Sequence, residues 1–511
     1  MKAAVDGSSV HSTIDANVQM IVEKYLAKFM EEFKDNYKPG NGAENVGCII
    51  QWVNTGEILA MASVPTYDLN NVRDPQALLG SMMVEKVDTA NGYYEIKKNG
   101  TVIDQTVLDS MSEDDLYLNL NNLWKNYCIT GTYEPGSVAK PFTVAMALEK
   151  GDITPNSTFE CSGYMEIGGY KIRCHNGAEG TMTLEKAVAK SCNVTMMKIA
   201  QIVGVDDFCE YQKVFNFGLK TNVDLAGEAR TASLVYSADQ MGPTDLATNS
   251  FGQNFNVTMI QMITAFSSLI NGGYYYEPHL VSKITNASGA TVENIEPRVL
   301  KQTVSEETSA YIRQYCNAVV TEGTGKTARP AGYLIGGKTG TAETIDQNTH
   351  KRSKDEHVVS FMGYAPADNP QIAIYVVVDR PNVSHQGDAK HATRLVRSIL
   401  TEVLPYLNIF MTEELSDTER EELAALNLEI TTQYGQQNPD TTPEEGDGET
   451  QPEQPAEGEE QPAWMSYPID PATGYRIDPE TGYKYDALEG FLVEGDESVM
   501  GEDGPVNPNI N

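Results

Sequence analysis

Segments with strand character sit at both ends of the first 410 residues, and the residues between them are patterned mainly for helices. Near the start, Val46–Val53 and Ile58–Ser63 are rich in apolar and β-branched residues and flank the turn Asn54-Thr55-Gly56-Glu57. Near the end, Ile335–Glu343, His357–Tyr364 and Gln371–Val378 read as three further strands. Ala365-Pro366-Ala367-Asp368-Asn369-Pro370 joins the last two. A helix is predicted outside each group. Asp15–Phe33 has Asp15 as its cap and Val18, Ile21, Val22, Tyr25, Leu26, Phe29 and Phe33 on one stripe. Ala389–Leu407 has Leu395, Ile399, Val403 and Leu407 on one side. Strands from both ends imply one antiparallel sheet, with a helical part over about 137–330 inserted between them. Its clearest helices are Leu184–Val203, Val257–Asn271 and Ser305–Thr321. The expected class is α+β, a sheet flanked by helices. Residues 69–120 read as polar and irregular, with a small hairpin around Asn91-Gly92 and Asn99-Gly100.

The formal charge of −35 over 511 residues is unevenly spread. From Met411 onward, 26 Asp and Glu face 3 Lys and Arg, a net of −23 that leaves −12 for the rest. Neither part has the basic face of a nucleic-acid binder. The composition divides the chain into a globular part, 1–411, an acidic Pro/Glu/Gln-rich linker, 412–462, and a short tail, 463–511. Residues 434–462 are nearly all Gln, Glu, Pro, Thr, Gly and Asp, too poor in apolar groups to offset their ordering entropy, so disorder is expected there. The tail repeats Asp470-Pro-Ala-Thr-Gly-Tyr475 as Asp478-Pro-Glu-Thr-Gly-Tyr483. Two copies are too few for a solenoid, which leaves a turn-rich tail without a fixed fold or a wall- or partner-binding element. The seven scattered cysteines are not a disulfide framework. No apolar run of about 20 residues is present and no signal peptide opens the chain, which reads as soluble.

Three short motifs carry chemistry. In Ser137-Val138-Ala139-Lys140, the lysine lies one helical turn past the serine, where a neutral amine takes up the hydroxyl proton. Ser137 also opens a helix expected to run to about Glu149, and free backbone N–H groups there favour developing negative charge. Ser191-Cys192-Asn193 supplies a hydroxyl for proton relay and an amide for a substrate amide. Lys338-Thr339-Gly340-Thr341, on a strand after Gly336-Gly337, supplies an ammonium and hydroxyls for a carboxylate; Gly340 leaves room for a substrate backbone along the strand edge. Any one of these patterns arises readily by chance. All three, once each and in this order, match serine β-lactamases and penicillin-binding proteins.

Thr132–Thr143, TYEPGSVAKPFT, resembles the active-serine segment of class B penicillin-binding proteins. So do Ser12–Gln19, Gly56–Asn70, Gly252-Gln253 to Thr258, Asn271-Gly272-Gly273, Pro278-His279, Gly336–Glu343 and Ser360–Pro370, over about residues 8–408. The resemblance implies a penicillin-binding/serine β-lactamase-like transpeptidase fold. It also implies a peptidoglycan D,D-transpeptidase working through an acyl-serine and inhibited by β-lactams. In this reading Ser137 attacks the penultimate D-alanine carbonyl of a stem peptide and Lys140 is its base. Ser191 passes a proton to the leaving D-alanine, and Asn193 holds the substrate amide. Lys338, Thr339 and Thr341 bind the terminal carboxylate beside Gly340, and the N–H groups of Ser137 and Thr341 form the oxyanion hole. No metal or cofactor is expected. The implied partners are donor and acceptor stem peptides, β-lactams and a lipid-linked glycan polymerase. The implied location is the outer face of the bacterial cytoplasmic membrane, through an anchor and an elongated domain not seen in this chain.

Residues 71–120 exceed the length expected for the family and are placed at the cleft rim. A β-lactamase is disfavoured because no E-x-x-L-N lies between Asn193 and Lys338. A D,D-carboxypeptidase and a non-catalytic penicillin sensor remain open. Cys192 reads as a plain reduced residue. A Cys161–Cys174 disulfide is expected across the hairpin turn Gly168-Gly169. Burial and the like charge of Lys338 are both expected to lower the Lys140 pKa.

Overall fold

The computed structural model describes residues 7–88, 94–345 and 351–426, with strand residues 476–477, 484–485, 492–494, 500–501 and 504–505. Along the chain, helix α1 (Ala16–Glu32) precedes strands β1 (Ala43–Trp52) and β2 (Ile58–Val64). Helices α2 (Lys140–Glu149), α3 (Leu184–Ala189), α4 (Asn193–Val203), α5 (Met259–Ile270) and α6 (Glu306–Thr321) follow. Strands β3 (Gly336–Ile345), β4 (Arg352–Ala365) and β5 (Ile372–Pro381) come next, then helices α7 (Lys390–Tyr406) and α8 (Asp417–Ala425).

Strands from before and after the inserted helices build one sheet. Its order is β3-β4-β5-β1-β2, antiparallel throughout, and β5 joins the two halves with Val376 opposite Cys48. Strand alternation sorts the side chains into two cores. Ile374, Val376 and Val378 of β5 and Val46, Cys48 and Ile50 of β1 face α1 and α7. Ala373, Tyr375 and Val377 of β5 face the inserted helices, among them α5 and α6. The Asp15 carboxylate accepts from the N–H groups of Asn17 and Val18 at the start of α1, and Val18, Val22, Leu26 and Phe29 are buried at helical spacing.

Four expectations change. The inserted part is not only helical: it holds the hairpin Tyr164–Ile167/Tyr170–Arg173, the pair Thr158–Cys161/Gly180–Thr183 and the pair Tyr274–Tyr276/Val299–Gln302. Each strand has only three or four residues, too few for a period of two to stand out. Residues 69–120 are more ordered than their polarity suggested. Met82–Asp88 pairs with Tyr94–Val102, and the helices Gln105–Ser110 and Glu113–Leu123 follow. Leu78, Ile103, Leu108 and Leu120 form their own small core, and the buried Asn119 amide exchanges hydrogen bonds with the Val84 backbone. Asn99-Gly100 lies within the second strand rather than at a turn, and Asn91-Gly92 lies outside the described residues.

The stretch read as a linker from 412 begins with structure. Ser416 and Glu419 make a capping box on α8, and Leu423 is buried against the α1–α7 core. Finally, Cys161 and Cys174 are free, like the other five cysteines. The turn at Gly168-Gly169 forms as expected, both glycines having positive φ, yet the two cysteines flank the hairpin and are not paired within it.

A second unit spans Asn438–Asn511. Within it Arg476–Ile477, Lys484–Tyr485 and Leu492–Glu494 form a three-stranded antiparallel sheet. The first two strands are equivalent positions of the eight-residue period, while the repeat residues 470–475 and 478–483 lie outside the described residues. Among the described residues, no helix is long and apolar enough to cross a membrane.

Candidate active site

Ser137 lies on a 3₁₀ turn, Gly136–Ala139, directly before α2, rather than on the α-helix itself. The Lys140 N–H donates to the Ser137 carbonyl, so the turn is closed between the two residues of interest. Backbone crowding fixes where this turn sits. Gly136 has φ +60°, and a Cβ there would fall 2.4 Å from the Thr341 carbonyl oxygen. Gly252 has φ +88°, and a Cβ there would overlap the Gly136 carbonyl; the Gly136 N–H donates to the Gly252 carbonyl at 2.8 Å. Two glycines thus press the Ser137 turn against the edge strand β3. Ser137 is half-buried, and among the described residues its hydroxyl has no hydrogen-bond partner.

Ser191 is placed by a helix ending. The expected continuous helix Leu184–Val203 is two helices, α3 and α4. The Ser191 N–H donates to the Val188 carbonyl and the Cys192 N–H to the Ala187 carbonyl, the double bond of a Schellman ending. Ser191 takes φ +56°, a left-handed conformation usually given to glycine, at a strain of about 1 kcal/mol or more. The sequence carries no glycine here to mark the break. The chain then restarts with Cys192 as N-cap, its sulfur accepting from the Thr195 N–H at 3.4 Å.

This turn delivers the Ser191 hydroxyl between two buried ammonium groups. Lys140 Nζ donates to Ser191 Oγ at 2.9 Å and to the Ser191 carbonyl at 2.6 Å. Lys338 Nζ donates to Ser191 Oγ at 3.0 Å and to the Thr339 carbonyl at 3.0 Å. Both lysines are 0% exposed. Burial lowers the Lys140 pKa to about 8. Burial, with the charge of Lys140 added, holds Lys338 well below the ordinary lysine range. The like-charge repulsion therefore bears on Lys338, whereas on Lys140 burial acts and the nearby thiols of Cys174 and Cys192 oppose it.

The remaining candidates line the same seam. Asn193 is half-buried and donates to the Arg173 carbonyl at 3.2 Å, which ties it to the hairpin beside it. Thr339 shares a hydroxyl contact of 2.6 Å with Thr324, and Thr341 donates to the Gly387 carbonyl at 3.3 Å. Gly340 is constrained by its own neighbours as well. A Cβ there would meet Ser360 Oγ at 2.2 Å, Val138 Cγ1 at 3.1 Å and the Pro135 carbonyl at 3.2 Å, so its missing side chain makes room for β4 and the Ser137 turn.

One support was not legible from the sequence. Arg352 grips Glu134 with two bonds of 2.6 and 2.9 Å and donates to Asn254 Oδ1 at 2.7 Å, while the Asn254 N–H donates to Glu134 at 2.9 Å. This network holds the residues before Ser137, the loop after Gly252 and the start of β4 together. Only Glu134, inside the TYEPGSVAK segment, gave a signal. Glu95, Ile96 and Lys97 of the 82–102 hairpin face Ala342–Ile345 at the end of β3 across a cleft of about 540 Å³, which none of the candidate site residues lines.

The family model for the penicillin binding protein transpeptidase domain matches residues 46–401, which include every candidate residue above. Stage V sporulation protein D of Bacillus subtilis is 32% identical over 407 residues, 79% of this chain and 54% of that protein. The peptidoglycan D,D-transpeptidase FtsI of Escherichia coli is 25% identical over 404 residues, 79% of this chain and 58% of that protein. The chain spans about half the length of the first of these curated relatives. Penicillin binding protein 3 of Mycobacterium tuberculosis superposes with a TM-score of 0.64 at 26% identity, over 81% of this chain and 83% of that one. It has also been solved complexed with aztreonam and with ampicillin. The transpeptidase domain of Burkholderia pseudomallei penicillin-binding protein 3, at 22% identity, TM-score 0.60 and coverage of 79% and 98%, shares the fold. A model that matches from β1 to α7, over the sheet, the inserted helices and all three motifs, places this chain in the family of penicillin-binding protein transpeptidase domains.

Proposed function

We propose that the chain is a serine-type peptidoglycan D,D-transpeptidase whose nucleophile is Ser137. The observation that carries this reading is the Ser191 hydroxyl held between Lys140 and Lys338, with Lys140 one turn past the half-buried Ser137. With a pKa of about 8, Lys140 is neutral in roughly a tenth of molecules at pH 7, against far fewer for an ordinary lysine, and this form takes the Ser137 proton as the oxygen attacks the penultimate D-alanine carbonyl. The N–H groups of Ser137 and Thr341 receive the developing oxyanion, a role supported by the close approach of Gly136 to the Thr341 carbonyl. Collapse breaks the peptide bond. The proton moves from Lys140 through Ser191 to the departing D-alanine amine, and the stem peptide stays esterified to Ser137. The amine of a second stem peptide then attacks the ester and restores the serine. Lys338, with Thr339 and Thr341, receives the terminal carboxylate beside Gly340, and Asn193 receives the stem-peptide amide. The chemistry needs no metal or cofactor.

β-Lactams, which relatives bind, are proposed to acylate the same serine. The whole protein is proposed to act at the outer face of the cytoplasmic membrane beside a lipid-linked glycan polymerase, because an acyl acceptor is useful only where glycan strands are being laid down. The test is turnover of a peptide ending in D-Ala-D-Ala with an amine acceptor present. Release of D-alanine with formation of the acceptor-linked product is expected. Hydrolysis alone at saturating acceptor would mean a carboxypeptidase, and antibiotic acylation without peptide turnover would mean a sensor.

A further inference from the structure

Three cysteines meet beside this seam, from three separate pieces of chain. Cys161 ends the strand Thr158–Cys161, Cys174 follows the strand Tyr170–Arg173, and Cys192 caps α4. Their sulfur atoms all lie within 4.8 Å of one another, and the residues are 1%, 6% and 0% exposed. Cys174 and Cys192 sulfurs are 3.7 Å apart. A disulfide would need about 2.05 Å. Tetrahedral bonds of about 2.3 Å from sulfur to zinc set a sulfur–sulfur edge of roughly 3.8 Å, and the observed spacing fits that edge.

Hydrogen-bond donors surround two of the three sulfurs. Backbone N–H groups of Asn176, Asn193 and Val194 point at Cys174, and the Thr195 N–H and hydroxyl lie 3.4 and 3.3 Å from the Cys192 sulfur. Lys140 lies close enough to feel both thiols. Such donors and cations offset the charge that a cluster of thiolates brings, as outer partners of metal sites commonly do.

We propose that Cys161, Cys174 and Cys192 form a three-thiolate site for a thiophilic divalent cation of the zinc class, with water in the fourth position. Binding replaces three S–H bonds with three metal–sulfur bonds and releases three protons to solvent. No electron is transferred, and the centre carries one negative charge. The cation joins the strand ending at Cys161 and the hairpin before Cys174 to the restart of the chain at Cys192. It thereby fixes the segment that presents Ser191 and Asn193, and acts as a positioning device that touches none of the reacting atoms.

The experiment is a zinc titration of the full chain, kept reduced with a phosphine and first stripped with a chelator. Cobalt serves as a spectroscopic probe. One equivalent should bind, with an intense near-ultraviolet thiolate-to-cobalt band and a raised melting temperature. Cys161→Ser should weaken binding more than about a hundredfold, beyond the loss expected for an outer partner. Cys209→Ser, buried against Met241 away from the cluster, should leave binding unchanged. Circular dichroism establishes that each variant is folded, and Cys161→Ala provides a second variant if the serine disturbs the strand. Equal affinity in the wild type and both folded Cys161 variants would overturn the site. So would absence of the charge-transfer band when all thiols titrate as free.

Discussion

The two faces of the sheet are built from alternating residues of the same strands, yet they bury different chemistry. The face toward α1 and α7 is aliphatic: Ile374, Val376 and Val378 of β5 meet Val22, Leu26, Val396 and Ile399. The face toward the inserted helices buries hydroxyls, amides and charge. Tyr133 and Tyr375 share a hydroxyl contact of 2.8 Å, Ser267 donates to Gln51 at 3.0 Å, and Lys140 and Lys338 flank Ser191 nearby. An ammonium removed from water is destabilising unless it is neutralised or well partnered. The aliphatic face supplies stability that the functional face spends on lowering lysine pKa values. Substitutions on the two faces should therefore separate: one set moves folding, the other moves chemistry.

The largest effect should come from Lys140→Arg. A guanidinium does not deprotonate in this range, so penicillin acylation should fall about 10²- to 10⁴-fold with folding intact. In the wild type the neutral amine is the proton acceptor. Its fraction grows as pH rises through about 8, so the acylation rate should climb through that value and then level off. Lys338→Arg should keep more activity, because carboxylate binding asks only for a cationic donor. Stopped-flow acylation across pH reads all three, and an undiminished rate in Lys140→Arg would break the contrast between the faces.

On the aliphatic face, Ile374→Ala should lower stability by about 2–5 kcal/mol in denaturant unfolding. The acylation rate constant of the folded fraction should stay within about twofold. A matching loss of rate would show that the two faces are not separable. Glu134→Gln lies between these extremes. Loss of the charged grip of Arg352 should cost roughly 1.5–3 kcal/mol of stability. It should also slow acylation about tenfold, since the turn bearing Ser137 is no longer held to Asn254. A change in stability alone would reduce this network to scaffolding.

The smallest effect is expected from a chain ending at Thr412. It loses α8 and the burial of Leu423, about 1–2 kcal/mol. It should acylate at the wild-type rate, because α8 packs on the aliphatic core. A large loss of rate would mean that the C-terminal residues contact the functional face.

Much of this organisation is legible in the sequence because it is local or periodic. The Asp15 cap, the stripes of α1 and α7, the strand runs and the Ser137–Lys140 spacing all follow from rules of short range. The capping box Ser416–Glu419 was equally local, but the acidic composition around it masked the single buried Leu423. What was not legible depends on distant partners. Glu134 and Arg352 are 218 residues apart, and neither reveals the other. The need for glycine at 136, 252 and 340 comes from neighbours that meet only in the fold. The break at Ser191 escaped notice because its left-handed residue is not glycine. The Cys161–Cys174 pairing followed from a correct turn, yet a third sulfur, that of Cys192 at the start of α4, lies 3.7 Å from Cys174.

The central claim is that Ser137 is the acylated nucleophile. It is tested most directly by incubating the chain with penicillin, measuring the intact mass and mapping the modified peptide. The account predicts one covalent adduct per chain on the peptide containing Ser137, and none in Ser137→Ala. An adduct that persists in the folded Ser137→Ala variant, or that maps to Ser191, would contradict it.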